Sequence, residues 1–308
     1  MNAVQARFAE IWKHRLSYLF IAPFLVCFLL FIAIPVAMAI GLSFFSFNAL
    51  SKPTFIGWDN YLSILTNDRI FLQYALPNTF KFAVIVGPAG YFLSFVLAWF
   101  IHQIPKAVRD YYTLAMYTPS LTAGIAMSVV WIVFFSGDRV GYLNDILLSL
   151  GWISAPQLWL NDPRYFMNIM IFISVWSSMG VGFLAMLAGL QTVNTELYEA
   201  GKIDGVSNRL QEIIYITIPS IKPQMLFGAV MAVVGTLKAG QIGSMLALAT
   251  GQQVTPLYSG HLITNHIDDF AMIRFELGYA AALSVLLLLI VYAASRAAFR
   301  LFGTKGDE

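Results

Sequence analysis

Charge is what this sequence has least of. Asp, Glu, Lys and Arg make up 11% of its 308 residues, while 59% are hydrophobic. A soluble domain carries about 25% charged and about 45–50% apolar residues. A water-facing surface of this composition would expose large apolar patches and aggregate, so lipid is the expected solvent for much of the chain. The net charge of +2 gives no reason to expect nucleic acid. Cysteine is nearly absent too. Cys27 stands alone, which excludes an intrachain disulfide, and its apolar surroundings read as packing. No Gly-x-x-x-x-Gly-Lys-Ser/Thr loop occurs, so nothing recognisable cradles ATP phosphates and no cofactor is expected in this chain. His14, His102, His261 and His266 are scattered without metal-ligand spacing, and no metal is expected. No Ser/His/Asp or His-Glu-x-x-His set suggests an intramembrane hydrolase.

What the sequence has is long apolar runs. A spanning helix needs about 20 mostly apolar residues. Six stretches qualify: 18–47, 79–101, 112–135, 167–190, 224–249 and 277–302. The segments between them hold charges, Pro, Gly or Asn. No repeat or low-complexity linker divides the chain, so residues 1–308 read as one transmembrane domain. The first run follows Arg7, Lys13 and Arg15 and contains Ala37-Met38-Ala39, which mimics a cleavage site. It is longer than the 7–15 residues of a signal peptide core, and a retained span is expected. Lys and Arg concentrate at both termini and in the 102–111 and 191–223 loops, which places both termini in the cytoplasm. The fold class expected is an all-α membrane protein with six transmembrane helices.

The 191–223 loop is the longest internal segment. Ile203, Val206, Leu210 and Ile213 recur at helical steps, Gly205 allows a sharp bend, and Pro219 is expected to terminate the helix. A surface-lying amphipathic helix would carry a Lys/Arg-rich polar face. Here Glu196, Glu199, Asp204 and Glu212 outnumber Lys202 and Arg209, which favours a protein partner over headgroups.

Glu199-Ala200-Gly201, then Asp204-Gly205, then Ile216-Thr217-Ile218-Pro219 resembles the "EAA" loop of permease subunits in binding-protein-dependent ABC importers. Gly201 stands where that family has a second Ala, and the stretch from Gly205 to Ile216 is one residue longer than the family spacing. One extra helical residue rotates the remainder of the helix by about 100°. Further likeness runs along the chain. Gly57-Trp58-Asp59-Asn60-Tyr61, Pro77-Asn78-Thr79, Gly141-Tyr142-Leu143-Asn144 and Gly278-Tyr279-Ala280-Ala281-Ala282-Leu283 resemble, in order, segments of the maltose-type and glycerol-phosphate-type permeases. The usual external Gly-Gly-Pro is absent near Thr250–Pro256.

The resemblance implies a type I importer permease (MetI-like) fold in the cytoplasmic membrane of a prokaryote. It implies that Glu199, Ala200, Gly201, Asp204 and Gly205 couple to an ATPase dimer, which would supply ATP and Mg. It also implies a second permease subunit in a heterodimer, an extracytoplasmic solute-binding protein and a sugar substrate.

Lys238 is the one ionisable residue well inside a span, at a cost of roughly 2.5–3.5 kcal/mol on insertion scales. Gln241 lies three residues on, near the same face. Both are candidates for a translocation path, as are Trp131 and Trp176, whose rings could stack on sugars. Asn78, Ser177 and Ser178 are weaker candidates, since small polar residues commonly join membrane helices. The rival reading is an ion-driven secondary transporter, which predicts inverted repeats and intramembrane carboxylates; neither is found. A permease for a non-sugar solute is a further alternative.

Overall fold

The computed structural model describes residues 15–122 and 124–302. Arg7, Lys13 and Lys305, which bear on orientation, lie outside them. The helices are α1 (Leu16–Leu42), α2 (Asp59–Thr66), α3 (Phe71–His102), α4 (Lys106–Leu121), α5 (Gly124–Phe134), α6 (Tyr142–Ser149) and α7 (Pro163–Trp176). They continue as α8 (Val181–Thr192), α9 (Thr195–Ile203), α10 (Arg209–Glu212), α11 (Lys222–Leu237), α12 (Gln241–Ala249), α13 (Ile263–Asp268) and α14 (Leu277–Phe302). Among the described residues, five helical stretches are long and apolar enough to cross a membrane: Leu16–Leu42, Phe71–His102, Pro163–Thr192, Lys222–Ala249 and Leu277–Arg300.

Three expectations need correction. The first span does not reach residue 47. Its helix ends at Leu42, and Phe45–Ser46 pairs antiparallel with Thr54–Phe55. The Asn60 amide donates to the carbonyls of Ser43 (2.8 Å) and Phe45 (3.1 Å), and the Tyr61 hydroxyl to Ser43 Oγ (2.7 Å). The Asn60-Tyr61 pair thus fastens the end of α1. The second span starts at Phe71 rather than residue 79. The third, expected at 112–135, is carried by two helices, α4 and α5. Pro119 removes an amide from the last turn of α4, and Thr122 is extended (φ −66°, ψ 126°).

Proline also shapes the helices that stay continuous. Three π turns, Leu29–Ala33, Phe71–Ala75 and Ile213–Thr217, precede Pro35, Pro77 and Pro219. A proline ring clashes with the carbonyl four residues back, here Phe31, Gln73 and Tyr215. Each of those sits mid-turn in the widened π ladder, where the bond runs to i+5. Pro219 therefore does not end its helix; helical residues run on through Ser220.

Helix α3 is the axis of the bundle, and three cores stack along it. At one end Phe71 and Ala75 join Ile64, Ile263, Ala282 and Leu283. Midway, Phe82 and Val86 meet Trp131, Phe166, Met170 and Leu246. At the other end Ala98 and Ile101 pack on Phe183, Met186, Leu190 and Ile221. Helices α8 and α11 pack on α3 and on each other, and α14 packs on α11. Outside this, the apolar window of α1 has no buried residue, and Phe20 is 83% exposed. Such a helix is stable only against lipid or another chain.

Candidate functional site

Three spans are broken, and the breaks come together. Helix α7 gives way to α8 across Ser177–Gly180, α11 to α12 across Lys238–Gly240, and α4 to α5 beyond Leu121. Interrupted backbone at membrane depth is tolerated where it is buried in protein or lines a cavity. Here it does line one. A cavity of about 320 Å³ is walled by Pro119, Ser120, Thr122, Trp131, Ser177, Lys238, Gln241 and Leu246, among others. Lys238 and Gln241, paired in the sequence, therefore share one wall with Trp131. Ser177, Ala239 and Ile242 are common to this cavity and a second of about 310 Å³. The second is lined by Gly87, Gly90, Tyr91, Ser94, Ser174 and Ser178.

Lys238 occupies the C-cap of α11 (φ −103°, ψ 5°), where a cation meets the negative end of the helix. Its side chain has no hydrogen bond or ion pair among the described residues. Trp131 is 9% exposed, and its indole N–H is buried without an acceptor among the described residues. Trp176 does not line either cavity. It backs Trp131 edge to face at 5.3 Å. Asn78 lines neither cavity. Its amide donates to the carbonyls of Tyr258 (2.8 Å) and His261 (3.2 Å), which pins the 250–262 segment to α3. Sequence reasoning missed Ser174, whose buried hydroxyl lacks a partner among the described residues; a lone serine in an apolar helix gives no signal of which face it shares.

The 191–223 segment is a separate surface. Asn194 caps α9, accepting from the Glu196 amide at 3.0 Å. The helix stops after Ile203 because Gly205 takes φ +93°. The Val206 amide reaches back to the Gly201 carbonyl (2.9 Å) and the Gly205 amide to that of Lys202 (3.3 Å), a Schellman closure that needs a left-handed residue. The expected continuous face of Ile203, Val206, Leu210 and Ile213 is therefore broken: Ile203 is 88% exposed while Val206 is half-buried. Glu199, Ala200, Asp204 and Gly205 are exposed, and Gly201 is half-buried.

Both departures from the EAA pattern have a local physical account. A methyl at position 201 would come within 2.6 Å of Ile216 Cδ1, so glycine there lets Ile216 close on α9. The π turn Ile213–Thr217 encloses one residue more than an α turn, which takes up the extra residue before Ile216. The hydroxyls of Tyr198 and Thr217 meet at 3.0 Å and tie this turn to α9.

At the opposite end of α3 lies a buried polar chain that sequence reasoning left as two unrelated histidines. His261 Nε2 is 3.2 Å from His266 Nδ1, and His266 Nε2 is 2.8 Å from Asp68 Oδ2, which also accepts from the Tyr279 hydroxyl at 2.8 Å. Burial alone would raise the Asp68 carboxyl. Hydrogen bonds from His266, the Phe71 amide and Tyr279 outweigh it and hold that carboxyl at about 2. Burial, aided by His266, depresses His261 to about 4. The Asp68 carboxylate accepts from His266 Nε2, and one hydrogen is shared between His266 Nδ1 and His261 Nε2.

Known proteins resemble the chain along nearly its whole length. The family model described as "Binding-protein-dependent transport system inner membrane component" matches residues 88–301. The arabinooligosaccharides transport system permease protein AraP of Bacillus subtilis (strain 168) is 29% identical over 300 residues, 96% of this chain and 91% of the relative. The probable ABC transporter permease protein YesP of the same organism is 31% identical, covering 89% of this chain and 86% of its own. The lactose transport system permease protein LacF of Rhizobium radiobacter is 28% identical over 89% and 90% of the two chains. A chain of a bacterial ABC transporter that imports the acidic polysaccharide alginate superposes with TM-score 0.78 at 24% identity, over 96% and 99% of the two chains.

Proposed function

The chain belongs to the family of inner membrane components of binding-protein-dependent transport systems, and on that premise we propose that it forms half of an ATP-driven path for a saccharide. It is a translocation subunit rather than an enzyme. The observation that carries the saccharide path is the meeting of Lys238, Gln241 and Trp131 on one cavity at three helix breaks. Relatives named for arabinooligosaccharide and lactose transport support a sugar as cargo.

A second permease closes the path, and the exposed apolar face of α1 is suited to lipid or such a partner. An extracytoplasmic binding protein delivers substrate to the loops at the Asp68 end of α3. At the other end, with both termini cytoplasmic, an ATPase dimer grips Glu199, Ala200, Gly201, Asp204 and Gly205. Closing of that dimer on ATP pulls α9, and through Ile216 and Tyr198 the helix leading into α11. The helix breaks then exchange one packing for another. Such a drive requires the ATPase to interact differently with the two states.

Copurification tests this reading. The chain is expressed with its transport partners, and wild type is compared with Glu199→Lys plus Gly205→Asp. An ATPase is expected to come down with wild type and to be lost from the variant. No associated ATPase even with wild type would sink the reading.

A further inference from the structure

We propose that the cavity at the helix breaks selects saccharides bearing an anionic group, a carboxylate in its ordinary form, with Lys238 as the cation that receives it. This rests on the saccharide-path reading and names the substrate class of that path.

The cavity wall carries one ammonium and, among the described residues, no acid. The ion pairs among the described residues, Arg164–Asp162, Arg209–Glu212, His266–Asp68 and Arg274–Asp269, all lie elsewhere. The five span-length stretches contain no carboxylate at all. Lys238 therefore sits inside a spanning stretch with no counterion from the described residues. An ionisable residue at this depth typically faces a water-filled route or pairs with an opposite charge.

Further donors stand beside it. Trp131 forms part of the same wall through its ring, with its indole N–H buried beneath that surface. Helix α12 begins at Gln241, so its first amides face the break without carbonyls from their own helix and carry partial positive charge. The Ser120, Thr122 and Ser177 hydroxyls donate to backbone carbonyls of their own helices, which leaves acceptor oxygens for sugar hydroxyls. An ionised carboxylate only accepts, and it is matched by the Lys238 ammonium and the amides at the start of α12. The neighbouring serines and Pro119 leave room without adding negative charge.

The test uses the complete importer in proteoliposomes: this chain, its partner permease, its ATPase and its binding protein. Two matched probe sets are offered, uronate-bearing oligosaccharides and their carboxyl-reduced neutral counterparts. The readout is the ratio of acidic to neutral uptake. The binding protein is identical throughout, so a change in ratio between variants belongs to the permease. Wild type is expected to favour the acidic set. Lys238→Met should lower the ratio about tenfold, and Lys238→Arg should retain it. A folding defect would lower both uptakes together and leave the ratio alone, which is why the ratio is read.

An unchanged ratio in Lys238→Met overturns the inference. So does a parallel loss of both uptakes that Lys238→Arg restores, because Lys238 would then pair with the partner permease. In either case an ATPase still bound to the chain leaves the permease reading standing; that reading falls only with the failure of copurification.

Discussion

The 191–223 surface and the cavity at the helix breaks are held by different kinds of contact. The surface is local. Asn194 caps α9, Gly205 closes it, and Asn208 caps the next helix through the Gln211 amide at 2.9 Å. Each bond joins residues a few positions apart. The cavity is non-local, since its wall comes from α4, α5, α7, α11 and α12. Its shape depends on how closely helices cross. A methyl on Gly182 would stand 3.2 Å from the Cα of Gly228, so α8 and α11 meet nearly backbone to backbone. The surface should therefore break by one local change with the bundle intact, while the cavity should fail only together with helix packing.

The sharpest way to break the local side is Gly205→Val. The residue sits at φ +93°, and a branched side chain there costs about 1–2 kcal/mol. The turn should reorient Asp204 and abolish ATPase copurification, with the melting temperature of the detergent-solubilised chain nearly unchanged. The matching break on the non-local side is Gly182→Val. Overpacking against the Gly228 backbone should destabilise the bundle by about 1–3 kcal/mol. Thermal unfolding should show this, with uptake and ATPase association lost in proportion to folded protein.

Asn78→Ala sharpens the contrast further. It strips the Tyr258 and His261 carbonyls of their donor, at about 1–3 kcal/mol. Uptake per folded molecule should stay at the wild-type level; selective loss of uptake would return Asn78 to the path. A pH dependence is expected at the Asp68 end. His261 is neutral in the folded chain down to about 4, against an ordinary value of 6.5. The unfolded chain binds that proton first, so stability should fall as pH drops from about 6.5 to about 4. Asp68, held at about 2, stays ionised across this window, and Asp269 and Arg274 also act on His261. His261→Gln should flatten the melting profile over that range.

Much of this was legible beforehand. Apolar length set the spans, since desolvating backbone in lipid leaves few alternatives to helix. Glu199 to Gly205 was legible because a turn and its cap are written in neighbouring residues. The break at Gly205 was foreseen as a bend, yet Ile203 to Ile213 was read as one face, because periodicity does not register a left-handed residue. The partners of Asn78 were not legible because they lie far along the chain. The pairing of His261 with His266 and Asp68 was hidden for the same reason.

The sequence by itself determined a lipid-solvated helical bundle, the bend at Gly205 in the 191–223 segment and the presence of Lys238 inside an apolar run. Composition, apolar run length and short-range backbone preference act within a few residues, so they can be read in line. Only the tertiary structure decided that three helices break at a common level and that Lys238, Gln241 and Trp131 face the same space. It also decided that Trp176 and Asn78 do not. Those outcomes depend on how distant helices cross, and crossing is settled by close packing between surfaces that no local window contains.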